Sequence, residues 1–314
     1  MLSNFYTADA QQQALGFLIA QTTYIEPGVY RMKYPELNYR ELVPIDTSAP
    51  EWAKSITFFS VDQVGKADWF SHLAHDVPLA DITRDKFEMA IEMAAVGYRY
   101  TTEELQQAMM VPNVNLGPER AAAAKRAAEE FIHFTALYGA AAKNWFGLIN
   151  HPAPTVINTA QTWAYRVANN QIPMIMQDVN GVLANVWQSS SGVEIADTLL
   201  LPMTQLNVLT TTAMPNTTMT LMQWVEKYNM YTQEAKAPLT IRAVRGLETA
   251  GAAGQPRMIA YKKDPEVIKM HVPMPHRFLE VMRTGPMIFD VPGIFRLAGL
   301  EIRRPGAMRY LDGI

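Results

Sequence analysis

Two periodicities alternate along the chain. Between positions 56 and 61, Ile56, Phe58 and Ser60 alternate with Thr57, Phe59 and Val61, the period and residue types of a strand. Both faces carry large apolar groups, so both need cover. The pattern breaks at Asp62-Gln63-Val64-Gly65-Lys66, where Gly65 permits a positive φ, and resumes through Ala67, Trp69, Ser71 and Leu73. This spacing predicts a long hairpin with a polar tip. Phe87, Met89, Ile91 and Met93, alternating with Glu88, Ala90, Glu92 and Ala94, predict another long strand. Upstream, residues 1–24 read as an arm whose apolar groups gather at Leu15, Phe17, Leu18 and Ile19. Pro27-Gly28 marks a turn, and Tyr39 to Ile45 reads as a short strand stopped by Pro44.

The period then lengthens. Thr101-Thr102-Glu103-Glu104 is a capping-box signature for a short helix ended by Pro112. Gly117-Pro118 opens an alanine-rich helix expected over 118–143, a strut against which other elements pack closely. After Gly147-Leu148-Ile149-Asn150, the loop with Pro152 and Pro154 suggests a domain boundary. Ile172, Ile175, Met176, Val179, Val182, Leu183, Val186 and Trp187 form one apolar helical stripe, with Gly192 as the stop. Thr198 to Leu201 is a buried strand candidate. Helical patterns at 203–211 and 218–229 precede strands at 239–245 and 257–262, joined by a Gly/Ala-rich loop from Gly246 to Pro256. The segment 272–314 reads as strands and turns. The class is α+β.

Composition narrows the function classes. The 314 residues are 49% hydrophobic and 18% charged, which excludes disorder for most of the chain and suggests about two domains or one elaborate one. A net charge of -3 argues against a dedicated nucleic-acid binder. With no cysteine, disulfides, thiolate metal sites and cysteine nucleophiles are excluded. Residues 1–10 lack the pattern of a secretory signal, and the apolar run Ala14 to Ala20 is far shorter than a membrane span, so a cytosol-like compartment is expected.

Candidate chemistry is sparse. No phosphate loop, dinucleotide fingerprint, GxSxG or SxxK motif stands in the sequence. Gly251-Ala252-Ala253-Gly254 reads as a flexible surface loop, and Ser189-Ser190-Ser191-Gly192 as a helix end. Glu130 and His133 share a helix face as in carboxylate-bridged di-iron bundles, but the second ExxH such a site needs is absent, so the pair reads as a surface ion pair. His72 and His75, three apart on a strand beside Asp76, point to opposite faces and do not chelate one ion without a bend. His271 and His276, flanked by Pro273 and Pro275, are assigned to loop contacts. The 19 methionines read as core filling and adaptable interfaces. No cofactor or metal is expected. Residues 51–104 carry ten acids against five bases, while 236–314 carry thirteen bases against seven acids. One reading is complementarity, the acidic hairpin of one copy lying on the basic C-terminal region of another.

The order of elements (arm, two-stranded loop, long helix, compact α+β domain, C-terminal strands) resembles the Hong Kong 97-type fold of tailed-bacteriophage major capsid proteins, shared with encapsulin shells. Local stretches carry the likeness. Asp62-Gln63-Val64-Gly65-Lys66-Ala67 with Asp76-Val77-Pro78 resembles the extended-loop region of one branch. Tyr98-Arg99-Tyr100-Thr101-Thr102-Glu103-Glu104-Leu105 resembles the approach to the spine helix, and Gly147-Leu148-Ile149-Asn150 the motif after it. Arg304 to Ile314 resembles the closing strand and tail.

The resemblance implies a structural subunit, not an enzyme. It divides the chain into an N-terminal arm (1–30), an extended loop (50–86), a peripheral domain (87–150 and 271–314, with spine helix 118–143) and an axial domain (151–270). It implies hexamers and pentamers of an icosahedral head enclosing double-stranded DNA, assembled in the host cytoplasm, without a membrane. Partners would be further copies, a portal protein and DNA held by weak non-specific contact. The chain begins at the arm, so any scaffolding protein is expected to be separate. Phe58, Phe59, Gly65, Lys66, Trp69 and Phe70 are the candidate intersubunit contacts. Some relatives cross-link through an extended-loop lysine; Lys66, with no identifiable partner asparagine or buried glutamate, reads as solubilising instead. The alternatives are an encapsulin-like nanocompartment shell and a di-metal carboxylate enzyme built on Glu130 and His133.

Overall fold

The computed structural model describes residues 34–64, 81–110 and 116–314. The chain divides into two units, Met1–Glu36 and Leu37–Ile314. Of the first, residues 34–36 are described and have no regular secondary structure. All that follows concerns the second.

A five-stranded sheet organises the core, in the order Thr240–Ala243, Thr198–Leu201, Arg257–Tyr261, Met308–Asp312, Thr155–Asn158. The two outer pairings are parallel and the two inner ones antiparallel. Thr198–Leu201 is buried at every position, because both faces of the sheet are covered. On one side, Leu199, Leu201, Met258, Ala260 and Leu311 join the stripe of the helix Ile172–Ser189. On the other, Leu200, Ile259, Tyr261, Met308 and Tyr310 join Ala128, Ile132, Ala136 and Leu137 of the helix Leu116–Tyr138. The stripe is buried as expected except for Trp187, which is exposed. Gly192, with φ +78°, follows the helix end and donates back to the Trp187 carbonyl.

The alanine-rich helix spans 23 residues, about 34 Å, and stops at Tyr138, five residues short of the expected end. Alanines 140–142 are good helix formers, but Gly139 takes φ +73° and turns the chain into the small ribbon Gly139–Ala140/Trp145–Phe146. The chain then folds back over the helix end. Leu148 and Ile149 donate to the carbonyls of Ala136 and Leu137, and Asn150 Nδ2 donates to Tyr138 O at 2.9 Å. Gly147 allows this approach: a Cβ there would lie 2.2 Å from the Leu137 carbonyl oxygen. The preceding helix, Thr102–Met110, has the expected capping box, with Thr101 Oγ1 accepting from Glu104 N and Glu104 Oε2 from Thr101 N. Arg120 pairs with Glu104 at 3.0 Å, and its hydrogen bonds take that carboxyl down to about 2.

Several local expectations are corrected. Tyr39–Leu42 is a helical turn rather than a strand, with buried Tyr39 and Leu42 three apart; only Ile45–Asp46 is extended. A helix at Met230–Ala235, capped by Asn229, stands where the sequence pattern predicts none. The loop from Gly246 to Pro256 contains two short 3-10 turns, and Ala252 N donates to the buried Asp312, which pins a segment expected to be loose. Both C-terminal histidines lie on strands, His271 in Ile268–His271 and His276 in Met274–Phe278.

Three three-stranded sheets complete the unit: Ile45–Asp46/Ile268–His271/Leu300–Ile302, Met274–Phe278/Gly293–Leu297/Glu92–Ala95, and Met282–Arg283/Ile288–Val291/Tyr98–Thr101. The two-stranded ribbon Ser55–Val64/Asp81–Ala90 stands apart from them.

Candidate assembly surface

The ribbon pairs antiparallel over ten residues, from Ser55 opposite Ala90 to Val64 opposite Asp81. Asp62, Gln63 and Val64 continue the strand where the sequence pattern placed a tip. The strand facing it is 81–90, not 67–73, which lies outside the described residues. No third strand joins the ribbon among the described residues. Every residue from Asp81 to Glu88 is exposed, so neither face is packed as a core. Such a ribbon is marginal alone in water.

Phe58 and Phe87, directly opposite each other, stack with ring centroids 5.1 Å apart. The Arg303 guanidinium lies 5.3 Å from the Phe58 ring centroid. Phe59, on the other face, is 66% exposed, and Ile82 is exposed as well. At the base, Ile91 N donates to Lys54 O, Arg277 pairs with Glu51 at 2.9 Å, and Arg296 donates to Glu51 O and lies over Trp52. Of the six candidate contacts, the structure places Phe58 and Phe59 on the ribbon. Gly65, Lys66, Trp69 and Phe70 lie outside the described residues, as do His72 and His75.

Two apolar surfaces escape the sequence pattern. Phe131, Phe134 and Tyr138 form an exposed aromatic stripe on the long helix, in line with exposed Ala123 and Ala127. Phe134 and Tyr138 stack at 5.9 Å. A signal for it is present: Ala128, Ile132 and Ala136 mark one apolar face of this helix and the aromatic residues a second. Leu279, Val281, Met282 and Met287 form an exposed patch around the hairpin Met282–Arg283/Ile288–Val291.

The charge pattern resolves differently from the intermolecular reading. Many C-terminal cations already have partners in their own chain: Arg242 with Glu41, Arg257 with Asp312, Lys262 with Glu194, Lys269 with Asp46, Arg277 with Glu51, Arg303 with Glu301, and Arg304 with Glu194 and Glu266. The acid of one region also meets the base of the other within one copy, as in Arg277–Glu51.

The Glu130/His133 pair is not an ion pair. Glu130 bonds Arg126 at 2.9 Å, while His133 packs edge-on to Tyr39 and Phe134, where burial lowers its pKa. Among the described residues, no group of three His, Cys, Asp or Glu side chains is placed to hold a metal ion. Among them, too, no helix is long and apolar enough to cross a membrane.

Comparison with known proteins matches this architecture. The capsid of Myoviridae phage XM1 superposes with a TM-score of 0.78 at 17% identity, covering 94% of this chain and 98% of that one. A structure from Mycobacterium phage Ogopogo gives 0.57 at 12% identity, covering 92% and 96%. The capsid of a native GTA particle gives 0.62 at 8% identity, covering 92% and 94%. At these identities the likeness is one of fold, and the fold is of the Hong Kong 97 type. No curated protein matches the chain by sequence. A family model described as Major capsid protein matches residues 65–314. With that match across most of its length, the chain belongs to the major capsid protein family, whose members are structural proteins rather than enzymes.

Proposed function

We propose that the chain is the shell subunit of a tailed-phage head, assembling into hexamers and pentamers of an icosahedral capsid around double-stranded DNA. The observation that carries this reading is the ribbon: ten paired residues with exposed apolar groups on both faces and no covering element among the described residues. A neighbouring copy supplies the missing cover. In this reading residues 1–30 are the arm and 50–86 the extended loop. Residues 87–150 and 271–314 form the peripheral part and 151–270 the axial part, with Met308–Asp312 crossing into the sheet of the latter. Phe58, Phe59, Gly65, Lys66, Trp69 and Phe70 are intersubunit contacts. Assembly takes place in the host cytoplasm with separate scaffolding and portal proteins. A net charge of -3 suits a wall that touches DNA weakly and non-specifically.

Electron microscopy of purified particles, with nuclease digestion of their contents, tests the proposal. Closed shells holding nuclease-protected double-stranded DNA are expected. A permanently monomeric protein overturns it, and shells that enclose protein without nucleic acid assign the chain to a nanocompartment.

A further inference from the structure

The three-stranded sheet Ile45–Asp46/Ile268–His271/Leu300–Ile302 has two unlike faces. Ile45, Ile268, Met270, Leu300 and Ile302 pack into the core. Asp46, Lys269, His271 and Glu301 share the other face, Asp46 opposite His271 and Lys269 opposite Glu301. The centre of that face is charged yet buried, with His271 only 2% and Glu301 only 3% exposed, while Asp46 and Lys269 are half-buried. His271 Nε2 lies 2.5 Å from Glu301 Oε2, and its Nδ1 3.4 Å from Asp46 Oδ2. Lys269 Nζ reaches the same Asp46 oxygen at 2.6 Å, and Ser48 Oγ donates to the other one. Arg303 Nε donates to Glu301 Oε1 at 2.5 Å.

This network connects to the ribbon where the Arg303 guanidinium lies over Phe58, which stacks on Phe87 of the opposite strand. A buried ionic cluster is a poor source of stability, since desolvation offsets its attraction, but it holds geometry well. An arginine side chain ordinarily has wide rotamer freedom. Here Glu301 fixes one edge of the guanidinium, and Glu301 is itself fixed by His271. A two-stranded ribbon attached only at its base would otherwise sample many directions, and ordering it at contact would weaken association.

We propose that Arg303, held by Glu301, is the pivot that sets the direction in which the ribbon leaves the body of an unassembled copy. Its consequence for assembly rests on the reading of the ribbon as the element that meets a neighbour; the pivot itself does not.

The chain has no cysteine, so Thr83→Cys on the ribbon and Gln188→Cys on the body give a unique spin-label pair. Pulsed dipolar spectroscopy on dilute, unassembled full-length chain should give one narrow distance distribution. Arg303→Ala should at least double its width, Arg303→Lys should give an intermediate width, and Arg283→Ala should leave it unchanged. Phe58→Leu, which removes the ring but keeps an apolar side chain, should broaden it as Arg303→Ala does. Circular dichroism confirms that each variant is folded. A folded Arg303→Ala chain with the parent's width overturns the pivot. A broadened distribution with an unchanged rate of particle formation supports the pivot and overturns the assembly role given to the ribbon.

Discussion

Asp312 is fully buried and accepts from three donors: Arg257 Nε at 2.7 Å, Arg257 Nη2 at 2.8 Å and Ala252 N at 3.0 Å. Arg257 also donates to Ile149 O, so one guanidinium joins the five-stranded sheet to the segment that caps the long helix. Removing one partner strands a buried charge. Arg257→Met should therefore destabilise the unassembled chain by about 3–5 kcal/mol in urea titration, while Arg257→Met with Asp312→Leu should cost less than the single change. Glu301 supplies a pH test. Burial pushes its carboxyl up, but bonds from His271 and Arg303 overcome that and hold it below the ordinary range. A carboxyl depressed in the folded state contributes stability that is complete above its unfolded value, about 4.3, and is lost as pH falls through the folded value. Stability measured from pH 5 downward should fall more steeply in the parent than in Glu301→Gln. Arg303 stands two residues from Glu301, but the pairings of Arg257 with Asp312 and of His271 with Glu301 are not legible in the sequence, because they join residues far apart in the chain. His271 looks like a loop residue beside a proline, and only the sheet reveals its two carboxylates.

At the level of elements, legibility follows burial. The helix Ile172–Ser189 is readable because one face packs on the core and so repeats with a helical period, and the strand Thr198–Leu201 because burial on both faces leaves a short continuous apolar run. The strand Asp81–Ala90 is only half visible. Asp81, Thr83, Arg84, Asp85, Lys86 and Glu88 are all exposed, so no alternation marks the two faces, and apolar 67–73 draws the pairing instead. The end of the long helix is hidden for a different reason, since propensity favours its continuation and Gly139 and Gly147 decide against it. Gly147→Ala should push a methyl into the Leu137 carbonyl and destabilise the chain by roughly 1–3 kcal/mol, read as a shift in urea midpoint. The ribbon gives the converse case. Phe59 is exposed and contributes little to a single copy, so Phe59→Glu should leave stability within about 0.5 kcal/mol. The same variant should raise the concentration needed for particle formation by about tenfold, equivalent to about 1.4 kcal/mol per contact. A Phe59→Glu chain that assembles normally removes Phe59 from the interface.

Across the whole molecule, the question is what drives copies together. The excess of cations in 236–314 suggests charge, with acids of one copy meeting bases of the next. The structure shows many of those bases already paired at home, some of them with Glu41, Asp46 and Glu51 of the N-terminal half. Among the described residues, large apolar groups also stand open on the surface: Phe59 and Ile82 on the ribbon, Phe131, Phe134 and Tyr138 on the long helix, and Leu279, Val281, Met282 and Met287 on the hairpin. A folded protein ordinarily scatters such groups, and contiguous patches mark contact surfaces. The two driving forces respond to salt in opposite directions. Charge pairing between copies weakens as added ions shorten the screening length from about 10 Å at 0.1 M to about 3 Å at 1 M. Apolar burial is strengthened by salts excluded from the surface, such as sulfate. Light scattering across a series of sodium chloride and ammonium sulfate concentrations should therefore show assembly nearly unchanged by the first salt and promoted by the second. A steep loss of particles in sodium chloride would restore charge as the main attraction between copies and return the exposed acids of the ribbon, Asp81 and Asp85 among them, to the centre of the interface.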